Sequence, residues 1–342
     1  MKQKFITLFK ISKVINMVRK LAFLLLILSI NGIKGFSQQI WGYGNFENIC
    51  DDREYHYKNV TNVVILGARL DGGVGFQADS LNQVYLGLNY MFEYGSNPYD
   101  LRPVPDLYYK YEVKNFRMFF GSFPRVNLLK YPLVLHTDSL MYYRPNIQGG
   151  LLELSRDWGY QNVWCDWTGH QTNTVHEAFM AGMSGRLKYN IFYLEDYFYM
   201  FHFAGTKLDA THVNDNGGGA LYLGIDLSRK TLLETLKFDI GGVGNYDRTR
   251  PTNYNGFFGL QERLSLFYKI FGVDATYYKG DKIKLVWGDG FYKSGDYGRL
   301  DTYLKVFKSE KVDTKIGWSF HFVNGTYNDD SFQVLFRVNF LG

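Results

Sequence analysis

The chain has 342 residues, of which 46% are hydrophobic and 18% aromatic, and it contains 36 Gly but only 7 Pro. This composition favours an all-β protein. The formal net charge of +5 comes from residues 1–37, which hold seven basic residues and no acidic one. The rest of the chain has 31 basic residues (38 less those seven) against 33 acidic ones. It therefore offers no basic surface of the kind that binds nucleic acid.

The first 37 residues have the organisation of a secretory signal peptide. Basic Arg19-Lys20 precedes a ten-residue apolar run that ends at Ile30, and Gly35-Phe36-Ser37 supplies the small residues of a cleavage site. The apolar run is too short to cross a membrane comfortably. We therefore expect a cleaved signal peptide at 1–37, with Met17 as an alternative true start, and a single domain at 38–342.

The last stretch, Ser331–Leu341, alternates with period two. One face carries Phe332, Val334, Phe336, Val338 and Phe340. Five large apolar residues on one face match the ~9–11 residues that a tilted strand needs to cross a bilayer. This pattern predicts the closing strand of a transmembrane β-barrel.

Sixteen such segments can be drawn along the chain, which predicts a single antiparallel barrel of about 16 strands, with 14 to 18 left open. They are 39–47, 61–77, 83–94, 105–113, 115–123, 147–155, 160–169, 176–187, 190–203, 218–228, 234–246, 256–269, 272–280, 297–307, 311–322 and 331–341. Short and long connections alternate, and all seven prolines lie in or beside long ones. The expected location is the outer membrane, with both termini in the periplasm. A secreted β-sandwich or propeller is the soluble alternative.

The longest connection, 124–146, is too apolar to lie free in water. Loops of this length are usually functional. We expect it to fold inward and constrict or plug the pore, and the alternative is a cap over the barrel mouth. Its candidate polar groups at the narrowing are Arg125, Lys130, His136, Asp138 and Arg144.

Strand alternation also predicts charged side chains on the lumen wall. The candidates are Arg69, Glu93, Arg117, Asp166, Arg263, Lys315 and Arg337. A pore selective for anions or cations would show one predominant sign. The mixture of signs predicts either weak ion selectivity or charges that pair across the interior.

Histidines and carboxylates gather near one predicted hairpin, as Asp166, His170, His176 and Glu177, with His202 and His212 at the next loop. Such groups can bind a metal or act as general acids and bases. Their spacing matches no zinc motif, so polar residues at the barrel mouth are the simpler interpretation.

The two cysteines, Cys50 in a predicted loop and Cys165 in a predicted strand, are expected to be unpaired.

The stretch Tyr142–Leu151, the segments Phe123–Arg125 and Asp166–Gly169, and the signal end Ser37–Gln39 resemble porin-like outer-membrane barrels of the Bacteroidetes. The resemblance implies an exported barrel and no catalytic residues. We accordingly predict a passive channel for small hydrophilic solutes that is not an enzyme and uses no cofactor or metal.

Two alternatives remain open, a barrel enzyme acting on lipid or glycan through the cluster near Asp166, and a surface binding or assembly partner. Outer-membrane lipid, the barrel-assembly machinery and small solutes are the expected partners, and a homo-oligomer remains open.

Overall fold

A computed structural model describes residues 39–341, except 98, 99, 101, 127, 209–212, 308 and 310. The predicted signal peptide lies outside the described residues. All sixteen strands pair antiparallel with their neighbours in sequence, and β1 pairs with β16 to close the sheet into a barrel. The predicted fold class and strand number are confirmed. Among the described residues no helix is long and apolar enough to span a membrane.

The strands, in chain order, are β1 Gln39–Glu54, β2 Val63–Gln77, β3 Asn82–Glu93, β4 Val104–Val113, β5 Phe116–Pro124, β6 Asn146–Arg156, β7 Gly159–Gly169, β8 Ala178–Tyr189, β9 Phe192–Phe203, β10 Asn214–Asp226, β11 Thr235–Thr249, β12 Asn255–Tyr268, β13 Phe271–Gly280, β14 Asp296–Leu304, β15 Val312–Val323 and β16 Thr326–Leu341. Within the described residues, the connections hold one short helix, α1 Asp138–Tyr143, and two 3₁₀ turns, Ser228–Lys230 and Gly290–Ser294.

Two predicted boundaries are wrong by several residues. β1 continues to Glu54, where the sequence suggested a loop from 48, and Cys50 therefore lies in a strand. β16 begins at Thr326, so the predicted loop 323–330 is a two-residue turn at Asn324-Gly325. Both turn residues have positive φ, 53° and 73°, as a tight hairpin requires. The end of β1 is polar because its side chains form contacts inside the barrel, such as the ion pair of Arg53 with Asp51. At the start of β16, Thr326, Tyr327 and Asp330 are exposed, so this end has no apolar alternation either.

The apolar face of β16 lies on the outside of the barrel. Phe332 packs against Trp318, which is 47% exposed, with ring centroids 4.6 Å apart. On the opposite face, Gln333 hydrogen-bonds to Asp51, and Arg337 forms an ion pair with Glu47. This alternation, with apolar side chains outside and charged ones inside, is that of a membrane barrel.

The two ends of the barrel differ in their connections. We call the end at which 125–145 and 281–295 emerge the long-loop end, and the opposite one the short-turn end.

The two longest connections turn inward and meet inside the barrel. The backbone N–H of Thr137 donates to the carbonyl oxygen of Trp287 at 2.8 Å, and that of Asp289 donates to Leu133 at 2.9 Å. We call the two segments together the plug. Their apolar side chains form one buried cluster with the inner wall, in which the plug contributes Leu129, Val134, Leu135, Leu140, Ile283, Leu285, Phe291 and Tyr292.

The plug is anchored to the wall by polar contacts as well. Arg125 forms an ion pair with Asp166, and both side chains are inaccessible to solvent. The Tyr131 hydroxyl lies 2.8 Å from the carbonyl oxygen of Met183 and 2.8 Å from the indole Nε1 of Trp164, whose N–H donates to it. The described lumen thus has an apolar core at its long-loop half, instead of an open aqueous channel.

Candidate active site

The five polar residues proposed for the constriction fall into different environments. Arg125 and His136 are buried in the plug, whereas Lys130 is exposed and lines a cavity at its short-turn side. Asp138 begins α1 and lines a cavity of about 390 Å³ at the long-loop side. The guanidinium of Arg144 points to the carbonyl oxygen of Thr168 at 3.4 Å. They do not form one ring around a pore.

His136 is packed among aromatic rings, with its ring centroid 4.3 Å from that of Tyr131 and 4.9 Å from that of Tyr199. Burial, and secondarily the charge of Arg125, lowers the pKa of His136 well below its usual range. The ring is therefore neutral at physiological pH and serves as a packing group of the plug.

The predicted lumen charges form ion pairs and other contacts along the inner wall. Arg69 pairs with Glu47, Arg117 with Glu153, and Arg263 with both Asp239 and Glu195. Further contacts join Arg337 to Glu47, Glu93 to the Tyr143 hydroxyl, and Lys315 to the ring of Tyr303.

The histidine and carboxylate cluster expected near Asp166 does not assemble. Asp166 faces the lumen and is fully engaged by Arg125 and by the backbone N–H of Gln148. His176 instead meets the carbonyl oxygen of Ala204, 2.7 Å from its Nδ1. His212 lies outside the described residues. In the described part of the chain, no group of three or more His, Cys, Asp or Glu could hold a metal ion, and Cys50 and Cys165 are free.

A different pair has the geometry of a catalytic dyad. His202 on β9 lies directly opposite Asp215 on β10, and its Nδ1 is 2.7 Å from the Asp215 Oδ1. The two side chains are 21% and 11% exposed, so they are shielded but reachable. A carboxylate on one ring nitrogen fixes the imidazole tautomer and leaves the other nitrogen free to accept a proton.

A third group completes this arrangement. Arg250 holds the second carboxylate oxygen of Asp215, with its Nη2 at 3.1 Å and Nε at 3.3 Å. Its side chain is 52% exposed, so its remaining N–H donors face solvent. Together with Met200, Tyr246 and Tyr254, these three side chains line a cavity of about 620 Å³. The described lining residues include no Ser, Thr or Cys.

The dyad lies on the outer surface, at the long-loop rim of the apolar band. Along β10 the outward positions after Asp215 are Gly217, Gly219, Leu221 and Leu223. Leu221 and Leu223 are 53% and 66% exposed. A molecule embedded in the surrounding apolar phase could thus meet the dyad from the side.

A second His–carboxylate contact, His56 with Asp329, is less suited to chemistry. The ring of His56 is almost entirely exposed, and Asp329 also accepts the backbone N–H groups of His56 and Tyr57. That pattern is a loop anchor, in which the carboxylate fixes the backbone.

A family model for lipid A 3′-O-deacylase-type proteins matches residues 45–339. The chain belongs to this family. The prediction that the protein is not an enzyme is therefore wrong, because the family is one of enzymes. Family membership favours the alternative of an outer-membrane barrel enzyme over the passive channel. The plugged lumen agrees with that correction.

Solved structures show the same kind of fold for this deacylase-type chain. A loop-deletion mutant of OmpT from Vibrio cholerae superposes with a TM-score of 0.56 at 7% identity, covering 89% of this chain and 100% of that one. OmpF of Salmonella typhi, in complex with daunomycin, gives a TM-score of 0.51 at 10% identity, covering 89% and 97%. The protein is thus an outer-membrane β-barrel. No curated protein matches the sequence.

Sequence reasoning named His202 but missed Asp215. The pairing of the β9–β10 hairpin could have revealed it. If the loop 204–213 joins the two strands so that Phe203 pairs with Asn214, then His202 pairs with Asp215.

Proposed function

We propose that the protein hydrolyses an O-linked acyl ester of a lipid A-type glycolipid at the His202–Asp215 dyad. The observation that carries the proposal is the position of this dyad, which is largely shielded but reachable on the outer wall, beside an apolar surface. Family membership supports the same chemistry.

The dyad supplies a general base. Asp215 accepts the N–H of His202 Nδ1, so Nε2 is free to take a proton from water. The resulting hydroxide adds to the ester carbonyl carbon. The tetrahedral intermediate then expels the sugar alkoxide, which receives the proton from His202 as the C–O bond breaks. The products are a free fatty acid and a glycolipid with one more hydroxyl group.

Arg250 has two roles in this proposal. Its two contacts with Asp215 hold the carboxylate in place against His202, which orients the imidazole for proton transfer. Its exposed N–H donors can also bind an anionic phosphate or the developing oxyanion, for which guanidinium geometry is well suited.

The site requires a particular orientation in the membrane. We propose that the long-loop end faces the cell exterior and that both termini are periplasmic, as in barrels with long external loops and short periplasmic turns. The dyad then lies at the outer leaflet, where outer-membrane lipid both surrounds the barrel and supplies the substrate. The Bacteroidetes origin, the barrel-assembly machinery as partner and a homo-oligomer remain proposals.

The test is acyl release from purified lipid A by the full-length protein in detergent, followed by mass spectrometry. His202→Ala and Asp215→Asn should each lower the rate by about 100-fold or more, the usual contribution of a positioned general base and its partner. His176→Ala is the matched control, because this neighbouring imidazole contacts only a backbone carbonyl among its hydrogen-bond partners.

Loss of activity in His56→Ala with full activity in His202→Ala would overturn the assignment and move the chemistry to the other His–carboxylate pair. Each variant should first show the folded barrel's heat-modifiable gel mobility, so that a folding defect is not read as a catalytic one.

A further inference from the structure

A groove runs down the outer wall from the dyad. Its upper part is the cavity lined by His202, Asp215 and Tyr246, and Tyr246 also lines the adjoining cavity of about 460 Å³. That second cavity lies between Phe198 on β9 and Phe258 on β12. The two cavities thus adjoin and share one wall.

Glycines make the floor of this groove. On the outward face, Gly219 of β10 lies directly beside Gly244 of β11, and both line the second cavity. The next outward glycines are covered, Gly217 by the Tyr246 side chain and Gly242 by the Phe258 ring. Gly219 and Gly244, on two adjacent strands, therefore leave this part of the outer surface without side chains. Glycine weakens a strand interior, and one reason for its use there is the close approach of a ligand to the backbone.

The glycine floor ends at large side chains. In β10, Leu221 follows Gly219 on the outward face, and in β11, Ile240 is the outward residue below Gly242. Leu221 and Ile240 are 53% and 42% exposed, so their side chains project from the wall. From Asp215 to Leu221 the strand advances about 20 Å, at roughly 3.4 Å per residue.

We propose that this glycine-floored groove binds the acyl chain that is cleaved, and that Leu221 sets the longest chain accepted. The proposal rests on the proposed hydrolase function and specifies its substrate. The substrate's saturated hydrocarbon chain lies on Gly219 and Gly244, between the rings of Phe198 and Phe258. Its ester carbonyl then reaches His202. Because the groove faces an apolar phase, its shape decides chain selectivity, and not the transfer of methylenes from water. A chain too long for the floor at Gly219 and Gly244 meets the projecting side chain of Leu221.

Gly244 is the best place to fill the groove without disturbing the wall. A Cβ built there lies 3.4 Å from the carbonyl oxygen of Phe257 and 3.8 Å from the Phe258 ring, which are ordinary contacts. At Gly219 it would come within 2.8 Å of the Tyr197 carbonyl oxygen. Gly150, on the outer face of β6, is the matched control, since a Cβ there meets its neighbours at 3.7 Å.

The first experiment measures acyl release from lipid A preparations that differ in chain length. Gly244→Leu should shift the preference to shorter chains and raise KM for the original chain about tenfold. Leu221→Ala, which lengthens the floor, should extend activity to longer chains. Gly150→Leu should keep the wild-type profile. An unchanged chain-length profile in both Gly244→Leu and Leu221→Ala would overturn the proposal.

The second experiment separates binding from hydrolysis. In the His202→Ala background, lipid A retained by the purified protein is quantified by native mass spectrometry. Adding Gly244→Leu should lower retention about tenfold, whereas adding Gly150→Leu should not. Equal retention in both double variants would refute the groove. Gly244-dependent retention without any acyl release by the wild type would instead refute the hydrolase function and leave the groove standing.

Discussion

At the scale of single residues, Arg125 and Asp166 show how one contact can define a role that sequence reasoning misassigned. Both were expected to carry charge in or near a pore, and Asp166 was also a member of the alternative catalytic cluster. The structure pairs them out of reach of solvent, between the plug and β7. A fully buried ion pair of this kind is a structural element, because neither group is available to a substrate.

Breaking this pair should destabilise the barrel strongly. Asp166→Asn leaves the Arg125 charge buried without a counter-ion, which typically costs 3–5 kcal/mol of unfolding free energy. The double variant Arg125→Met with Asp166→Asn should recover much of that loss, because no uncompensated charge remains. Guanidinium unfolding monitored by tryptophan fluorescence measures both values. A double variant that is no more stable than the single one would contradict this account.

At the scale of elements, β16 shows what strand alternation can and cannot say. The alternation predicted correctly which residues of the strand share a face, and the outward face is the apolar one. It placed the start of the strand five residues late, because residues 326–330 pair with Val323 and its neighbours without an apolar face of their own. Pairing with a neighbouring strand satisfies the backbone there, and that partner is not visible in the local sequence.

A charge on each face of β16 should therefore have unequal effects. Val334→Arg places a guanidinium on the outward, apolar face, which should cost about 2–4 kcal/mol if the position lies near the middle of the bilayer. Gln333→Arg, one residue earlier, faces the lumen beside Asp51 and should be tolerated. Urea unfolding in lipid vesicles measures the difference. Equal destabilisation by both variants would contradict the assignment of faces.

At the scale of the whole molecule, the two inward connections change a porin-like barrel into a closed one. The segments at 125–145 and 281–295 contact each other and bury a shared apolar cluster inside the wall. The chemistry that we propose then lies on the outside of the barrel, at the His202–Asp215 dyad, where lipid can reach it laterally.

The plug predicts the electrical behaviour of the protein. In planar bilayers the wild type should show no stepwise conductance of porin size, since the lumen is occupied by packed side chains. Deletion of 128–142 removes one of the two segments and should produce discrete openings, provided that the variant retains heat-modifiable gel mobility. Porin-like steps in the wild type, unchanged by the deletion, would contradict a closed lumen.

The sequence alone determined the architecture of this protein. Period-two alternation, the aromatic content and the order of long and short connections depend on local residue types. Together they predicted an antiparallel barrel of about sixteen strands, with 14 to 18 left open, and an apolar outer face. The residue types of the longest connection, 124–146, also indicated that it was too apolar to lie in water.

Only the tertiary structure decided the site. His202 and Asp215 are thirteen residues apart and meet because two strands pair in one register, and the groove needs glycines from two adjacent strands on the same outward face. Such contacts depend on register and on the closure of the barrel, for which a short stretch of sequence carries no signal. The same reason explains why the sequence left Asp166 open as a lumen charge or a member of the alternative catalytic cluster. Its buried partner lies 41 positions away and becomes adjacent only when the plug folds inward.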